Sequence, residues 1–181
     1  MTQFAPSSLI VMGVAGSGKS TLAAALAEQL QRPWLEGDQF HSDANRRKMA
    51  QGEPLTDEDR ASWLATLAEQ LRRQPGALVA CSALKRAYRD QLRAASPGLR
   101  FAFLDIDKSE ASRRVSTRSA HFFAASLMDS QFETLESPVG EPGVLHLDAL
   151  KPLAELQDEA CDWLRQPPTQ HRAERARRPR P

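Results

Sequence analysis

Gly13-Val14-Ala15-Gly16-Ser17-Gly18-Lys19-Ser20 is the stretch from which the rest of the chain is read. It spells G-x-x-x-x-G-K-[ST]. Its glycines let the backbone curl so that successive N–H groups point inward, where they can meet phosphate oxygens. Ser7–Met12 (SSLIVM) leads into it as a short continuous apolar run, which predicts a buried strand. Ser20–Gln31 (STLAAALAEQLQ) leaves it with Leu22, Leu26 and Leu30 at helical spacing. Strand, glycine loop and helix together form the context in which such a loop grips phosphate, because the helix start adds the positive end of its dipole. Gly13, Val14, Ala15, Gly16, Ser17 and Gly18 are therefore expected to cradle a nucleoside triphosphate. Lys19 is expected to reach its β- and γ-phosphates and Ser20 to hold magnesium. Thr21 either offers a hydroxyl to the α-phosphate or simply packs at the helix start.

The same alternation continues outward. Pro33–Glu36, Ala77–Cys81, Arg100–Ile106 and Val144–Leu147 read as further short strands. Ser42–Ala50, the segment from Thr56 to just before Pro75-Gly76, Lys85–Ala95, Ser109–Arg118 and Pro152–Arg165 read as helices, with Thr56 as an N-cap ahead of three acids. Ser119–Glu136 has no clear period. Strands alternating with helices, each strand a continuous apolar block, predict an α/β fold: a five-stranded parallel sheet with helices on both faces. Ligands of such sheets sit beyond the carboxyl ends of the strands, so the chemistry is expected just after Met12, Glu36, Cys81, Ile106 and Leu147.

Composition agrees with one globular unit. The chain has 181 residues, 41% hydrophobic and 26% charged, which excludes an intrinsically disordered protein. Two cysteines, Cys81 and Cys161, exclude a disulfide scaffold and read as buried thiols. No apolar run reaches the roughly 18 residues that span a bilayer, and Met1–Ser8 lacks the features of a secretion signal. A soluble cytoplasmic protein with no membrane partner is expected. From Arg165 onward there are six arginines and one acid, a net charge of +5 that leaves about −4 for the rest of the chain. A mildly acidic body argues against a dedicated nucleic-acid binder. The expected organisation is a domain over residues 1–165 and a disordered Arg/Pro-rich tail over 166–181.

Glu36-Gly37-Asp38 closes the second strand. Two residues apart on an extended segment, the carboxylates point the same way. One can hold magnesium-bound water and the other can accept a proton from a substrate hydroxyl. A solvated acidic turn is the alternative, and the neighbouring phosphate loop weighs against it. Arg46, Arg47, Lys48, Arg60, Lys85, Arg86 and Arg89 bring positive charge to the same edge. Lys85 and Arg86 directly follow the third strand, so at least one is expected to face an acceptor bearing a carboxylate. Lys85, Arg89 and Arg93 share a helical stripe, a pattern more often solvated. His41 is either a helix-start residue or a hydrogen-bonding partner for a polyol; Trp34 and His121-Phe122-Phe123 read as packing residues. Arg114 and Arg118, one helical turn apart, either neutralise γ-phosphoryl charge from a closing flap or form an outer charged face. No His/Cys spacing suggests a resident metal, so magnesium is expected to arrive with the nucleotide.

GVAGSGKST, LEGDQFH, NRRKMAQGEPLTDEDRASWL, ACSALKRAYRDQLR and RSAHFFAASLMDSQFETLE, in that order between Ile10 and about Leu164, resemble the small bacterial gluconokinases of the P-loop NTPase type. The first segment is shared with many nucleotide-binding proteins; the other four are far more specific. The resemblance implies a nucleoside-monophosphate-kinase-like fold, related to shikimate kinase, with a mobile lid at about residues 114–137. It implies phosphorylation of D-gluconate on its 6-hydroxyl by ATP with Mg2+, in a homodimer. On the family pattern Asp38 orients or deprotonates the acceptor hydroxyl, with Lys19 and Arg118 completing the catalytic set and Arg114 beside the nucleotide. Arg60 leads the substrate contacts, with His41, Lys48, Lys85 and Arg86 as further candidates; Ser20 and Glu36 would hold the metal. Glu36 stands where family members often carry Asp, and Ser119 where they often carry a basic residue. Two other readings remain: another small-metabolite kinase, shikimate-type or nucleotide-directed, and a non-catalytic nucleotide-binding module. Asp38 and the lid-side arginines in company with Lys19 count against the second.

Overall fold

Leu9–Met12 (β1) is buried at every position because its two faces feed two different cores. Leu9 and Val11 pack with Leu22 and Leu26 of α1 (Lys19–Leu30) and with Leu156 and Ala160 of α7 (Leu153–Arg165). Ile10 and Met12 pack with Trp63, Leu64 and Leu67 of α3 (Asp57–Arg73) and with Leu92 of α4 (Arg86–Ala95). β3 (Leu78–Ala80) and β4 (Arg100–Asp105) divide their side chains in the same way. Alternation into two apolar layers removes the polar half of the usual period, which is why these strands read as plain hydrophobic blocks. The five strands are parallel in the order β2-β3-β1-β4-β5, with β2 (Trp34–Glu36) and β5 (Val144–Asp148) at the edges. This is the α/β architecture anticipated above. The computed structural model describes residues 7–118 and 125–167. His121-Phe122-Phe123, in the expected lid, and residues 168–181 of the expected tail lie outside the described residues.

The elements fall within one or two residues of their anticipated limits, including α2 (Asp43–Ala50) and α5 (Lys108–Arg118). Two elements are additions: the 3-10 turn Gly37–Phe40 after β2, and α6 (Ala125–Thr134) in the stretch without a legible period. Leu127 and Met128 are buried while Ser126 and Asp129 stay exposed, and Phe132 and Leu135 continue the apolar side at helical spacing, a stripe of only two turns. Thr56 and Asp59 form a reciprocal capping box: Asp59 N–H donates to Thr56 Oγ1 at 3.2 Å, and Thr56 N–H donates to Asp59 Oδ2 at 2.9 Å.

The basic stripe of α4 departs from expectation. Arg89 is fully buried. Its guanidinium donates to the Ala83, Leu84 and Glu136 carbonyls and to both carboxylate oxygens of Glu141, which also accepts from Arg93 at 2.7 Å. A cation is tolerated there because each of its nitrogens has an acceptor and its charge is paired. The contacts fasten α4 to the segment leading into β5. Arg100 does similar work at the end of α7, donating to the Trp163, Leu164 and Gln166 carbonyls and stacking 3.6 Å from the Trp163 ring centroid.

Candidate active site

The loop after β1 curls under the start of α1. Gly16 has φ +79°, and a Cβ there would lie 2.6 Å from the Ala111 carbonyl of α5, so glycine alone fits. Gly18, at φ 97°, is the N-cap of α1. Ser17 N–H donates to the Val14 carbonyl at 3.3 Å inside the curl. The Ser17 hydroxyl is buried with no hydrogen-bond partner among the described residues. Lys19 Nζ donates to the Val14 carbonyl at 2.9 Å. Ala15 N–H donates to Gln131 Oε1 of α6 at 2.7 Å. The loop thus presents main-chain donors and a cation at the carboxyl edge of the sheet, as a phosphate cradle requires.

Facing it is the 3-10 turn Gly37–Phe40, which follows β2. A Cβ on Gly37 would lie 2.5 Å from the Ala80 carbonyl and 2.7 Å from Cys81 Cβ, so the turn is pressed against β3. Trp63 Nε1 donates to the Gly37 carbonyl at 2.8 Å and holds the turn from the side of α3. These two constraints set the place of Asp38. His41 stacks on Trp63 with ring centroids 4.6 Å apart and planes 9° apart. Its Nδ1 lies 3.5 Å from Asn45 Nδ2, which donates to the Asp59 carbonyl at 2.7 Å. Burial holds His41 below its usual basicity; Asp38 opposes that shift, and Arg60 and Arg46 add to it. The ring is therefore neutral near pH 7.

A cavity of about 260 Å³ separates the two walls. Ala15, Gly16 and Lys19 line it on one side and Asp38, His41 and Arg60 on the other. Arg60 Nη1 donates to the Leu55 carbonyl at 2.6 Å, and its guanidinium lies 5.9 Å from the Tyr88 ring centroid. Among the described residues Arg60 has no carboxylate at ion-pair distance, so its charge is open to a ligand. Cys81, directly after β3, is fully buried. Burial pushes its thiol up to about 12; Asp38 and Glu36 act in the same direction and Lys19 against it. The thiol is inert at neutral pH.

Lys48, Lys85, Arg86, Ser20, Thr21, Glu36 and Arg114 are not among the residues that line this cavity. Lys48 pairs with Asp59 at 2.8 Å, and Lys85 pairs with Asp57 at 2.8 Å. Both carboxylates are in the first turn of α3, one turn or less from Arg60. The Lys48 hydrogen bond, helped by the Thr56 N–H, lowers Asp59 to about 2. Arg86 is exposed, 3.7 Å from Asp90, and its N–H donates to Glu136 at 2.7 Å. Ser20 and Thr21 are exposed on the first turn of α1, and Glu36 is half-buried at the end of β2. Arg114 donates to Glu110 at 2.7 Å and to the Ala149 carbonyl at 3.0 Å, tying α5 to the segment after β5. Arg118 closes α5; its side chain lies outside the described residues.

Among the lining residues without an assigned role in the sequence, Trp63, Ser82, Ser130 and Gln131 carry polar side-chain atoms. Trp63 shares the buried face of α3 with Leu64, Leu67 and Leu71, a spacing that by itself signals packing. Ser82 follows the third strand, the position the carboxyl-end rule picks out, and that rule was the signal available for it. Ser130 and Gln131 sit in the quoted SQFETLE segment, but no local rule sends a helical glutamine to an amide 116 residues away.

A family model described as an AAA domain matches residues 9–140. A gluconokinase of Gluconobacter oxydans is 45% identical over 150 residues, covering 81% of this chain and 84% of that protein. The thermoresistant gluconokinase of Escherichia coli is 43% identical over 149 residues, covering 80% of this chain and 85% of that protein. The crystal structure of a gluconokinase from Sinorhizobium meliloti 1021 matches with a TM-score of 0.82 at 47% identity, covering 90% of this chain and 93% of the other.

Proposed function

The chain belongs to the gluconokinase family of P-loop kinases, and on that premise we propose that it transfers the γ-phosphoryl group of ATP to the 6-hydroxyl of D-gluconate, giving 6-phosphogluconate and ADP. The observation that carries the reading is the cavity with the Ala15–Lys19 side of the loop on one wall and Asp38, His41 and Arg60 on the other.

The loop amides and Lys19 hold the donor, with Lys19 giving up the Val14 carbonyl as it does so. Asp38 accepts the proton of the attacking hydroxyl, and its turn is fixed by Trp63 and β3. Arg60 takes the sugar-acid carboxylate. His41, kept neutral, has a ring nitrogen for an acceptor hydroxyl. Lys48 and Lys85 work through Asp59 and Asp57, fixing the helix start that carries Arg60; Arg86 is an outlying cation on the same edge. Magnesium enters as part of the nucleotide substrate, where it neutralises phosphate charge; the exposed Ser20 hydroxyl and the Glu36 carboxylate beside Asp38 are the groups that would hold it. Thr21 adjoins the α-phosphate. Arg114 and Arg118 neutralise charge from the lid side, and a lid over about 114–137 excludes water. Residues 1–165 form the catalytic unit, and the 166–181 tail has no part in it. A homodimer belongs to the same reading and rests on the resemblance alone; the cytoplasm is the compartment we propose for it.

The test is ADP release measured with gluconate, shikimate and nucleoside monophosphates as acceptors. Gluconate is expected to stimulate release. Lys19→Ala and Asp38→Asn are each expected to lower turnover by about 10²-fold or more in folded protein. Stimulation by another acceptor in place of gluconate, or full activity in Asp38→Asn, would overturn the assignment.

A further inference from the structure

Ala15 N–H is one of the donors that the loop would offer a phosphate, and in this structure it is already engaged. Gln131 Oε1 accepts from it at 2.7 Å, and both residues line the cavity between the donor and acceptor walls. An amide oxygen in that position stands in for a phosphoryl oxygen: the same acceptor chemistry at the same hydrogen-bond distance. A second oxygen cannot take the full bond while the first keeps it.

The glutamine belongs to a helix that touches both halves of the site. Ser126 Oγ of α6 donates to the Gly52 carbonyl, between α2 and α3, at 2.9 Å. Lys108 of α5 pairs with Asp129 at 2.8 Å. Just beyond the helix, Glu136 N–H donates to the Leu84 carbonyl at 3.0 Å. One end of α6 therefore meets the acceptor side, and Gln131 meets the loop. Lys19 shows the same economy, resting on the Val14 carbonyl. A half-buried amide left without a partner is costly, and Gln131 supplies the partner from within the fold.

We propose that Gln131 is a positioning residue that occupies Ala15 N–H until nucleotide binds and yields it to the terminal phosphoryl group of the donor, so that loading the loop releases α6 from it. The idea rests on the proposed function in one respect, that the loop binds a triphosphate.

The test is calorimetric binding of a magnesium-loaded, non-hydrolysable ATP analogue to the full chain and to Gln131→Ala and Gln131→Glu, with thermal melting to confirm that each is folded. Removing the internal competitor in Gln131→Ala should tighten binding by about fivefold, the worth of one net hydrogen bond. Gln131→Glu keeps an acceptor for the amide but sets a negative charge against the phosphates, and should weaken binding by about tenfold or more. Unchanged or weaker binding in Gln131→Ala, or unchanged or tighter binding in Gln131→Glu, overturns the proposal. Gln131→Glu preserves the apo contact, so it remains informative if the alanine variant unfolds. Failure of the wild-type chain to bind the analogue would sink the functional reading along with this one; wild-type binding with the wrong sign in the variants sinks this one alone.

Discussion

Replacing Gly37 by alanine tests whether the turn that carries Asp38 is held as tightly as its contacts imply. The new methyl would fall 2.5 Å from the Ala80 carbonyl oxygen and 2.7 Å from Cys81 Cβ. Neither neighbour can give way. Ala80 sits in β3 between β1 and β2, and Cys81 is fully buried. Carbon contacts are comfortable near 3.5 Å, so the turn must retreat by about 1 Å. Retreat strains the 2.8 Å bond from Trp63 Nε1 to the Gly37 carbonyl and carries Asp38 away from its place opposite Lys19. Overpacking of this kind costs about 1–3 kcal/mol in stability. Each lost kcal/mol lowers Tm by about 3 °C in a chain of this length. Displacing a reacting group by 1 Å costs on the order of 10²-fold in rate. Gly37→Ala should therefore lose about two orders of magnitude in kcat, read as ADP release at saturating ATP and gluconate, while its affinity for nucleotide stays within about twofold because the phosphate loop lies on another strand end. A variant with wild-type kcat and Tm would refute the claim that this close approach fixes Asp38 for the reaction.

Arg60→Met should raise the KM for gluconate by about tenfold or more, the worth of one charge-assisted hydrogen bond. Lys48→Met and Lys85→Met should each have a smaller effect, because their ammonium groups are engaged by Asp59 and Asp57; initial rates at saturating ATP decide, and a larger effect at either lysine would reverse the assignment. His41 gives a pH signature. Burial lowers its pKa in the folded chain, so as pH falls below the ordinary value of about 6.5 the unfolded chain takes up a proton that the folded chain does not, and stability drops toward the folded pKa. His41→Phe can keep the stack on Trp63 while removing the titration, so urea denaturation between pH 7.5 and pH 5 should show a shallower loss than in the wild type; equal slopes would assign the pH dependence to other groups.

The donor half of the site was legible because its grammar is local. Eight consecutive residues set the curl, the helix start and the lysine, and the preceding strand announced itself by burial on both faces. The capping box is local in the same sense: Thr56 and Asp59, three positions apart, satisfy one another. The acceptor half is a matter of distance through space. Lys48, Arg60, Lys85 and Arg89 are equivalent in the chain: cations near one sheet edge. Their fates diverge only when α2, α3 and α4 pack, as Asp59 takes Lys48, Asp57 takes Lys85, Glu141 takes Arg89, and Arg60 is left to a carbonyl and a ring face. Gln131 follows the same logic, finding its amide across most of the chain. The order of residues by itself determined the sheet, the phosphate cradle and the set of groups on hand for chemistry. The tertiary structure alone decided which charges are consumed and which remain for a substrate, because electrostatic and hydrogen-bond energies fall with distance in space and are indifferent to separation along the chain.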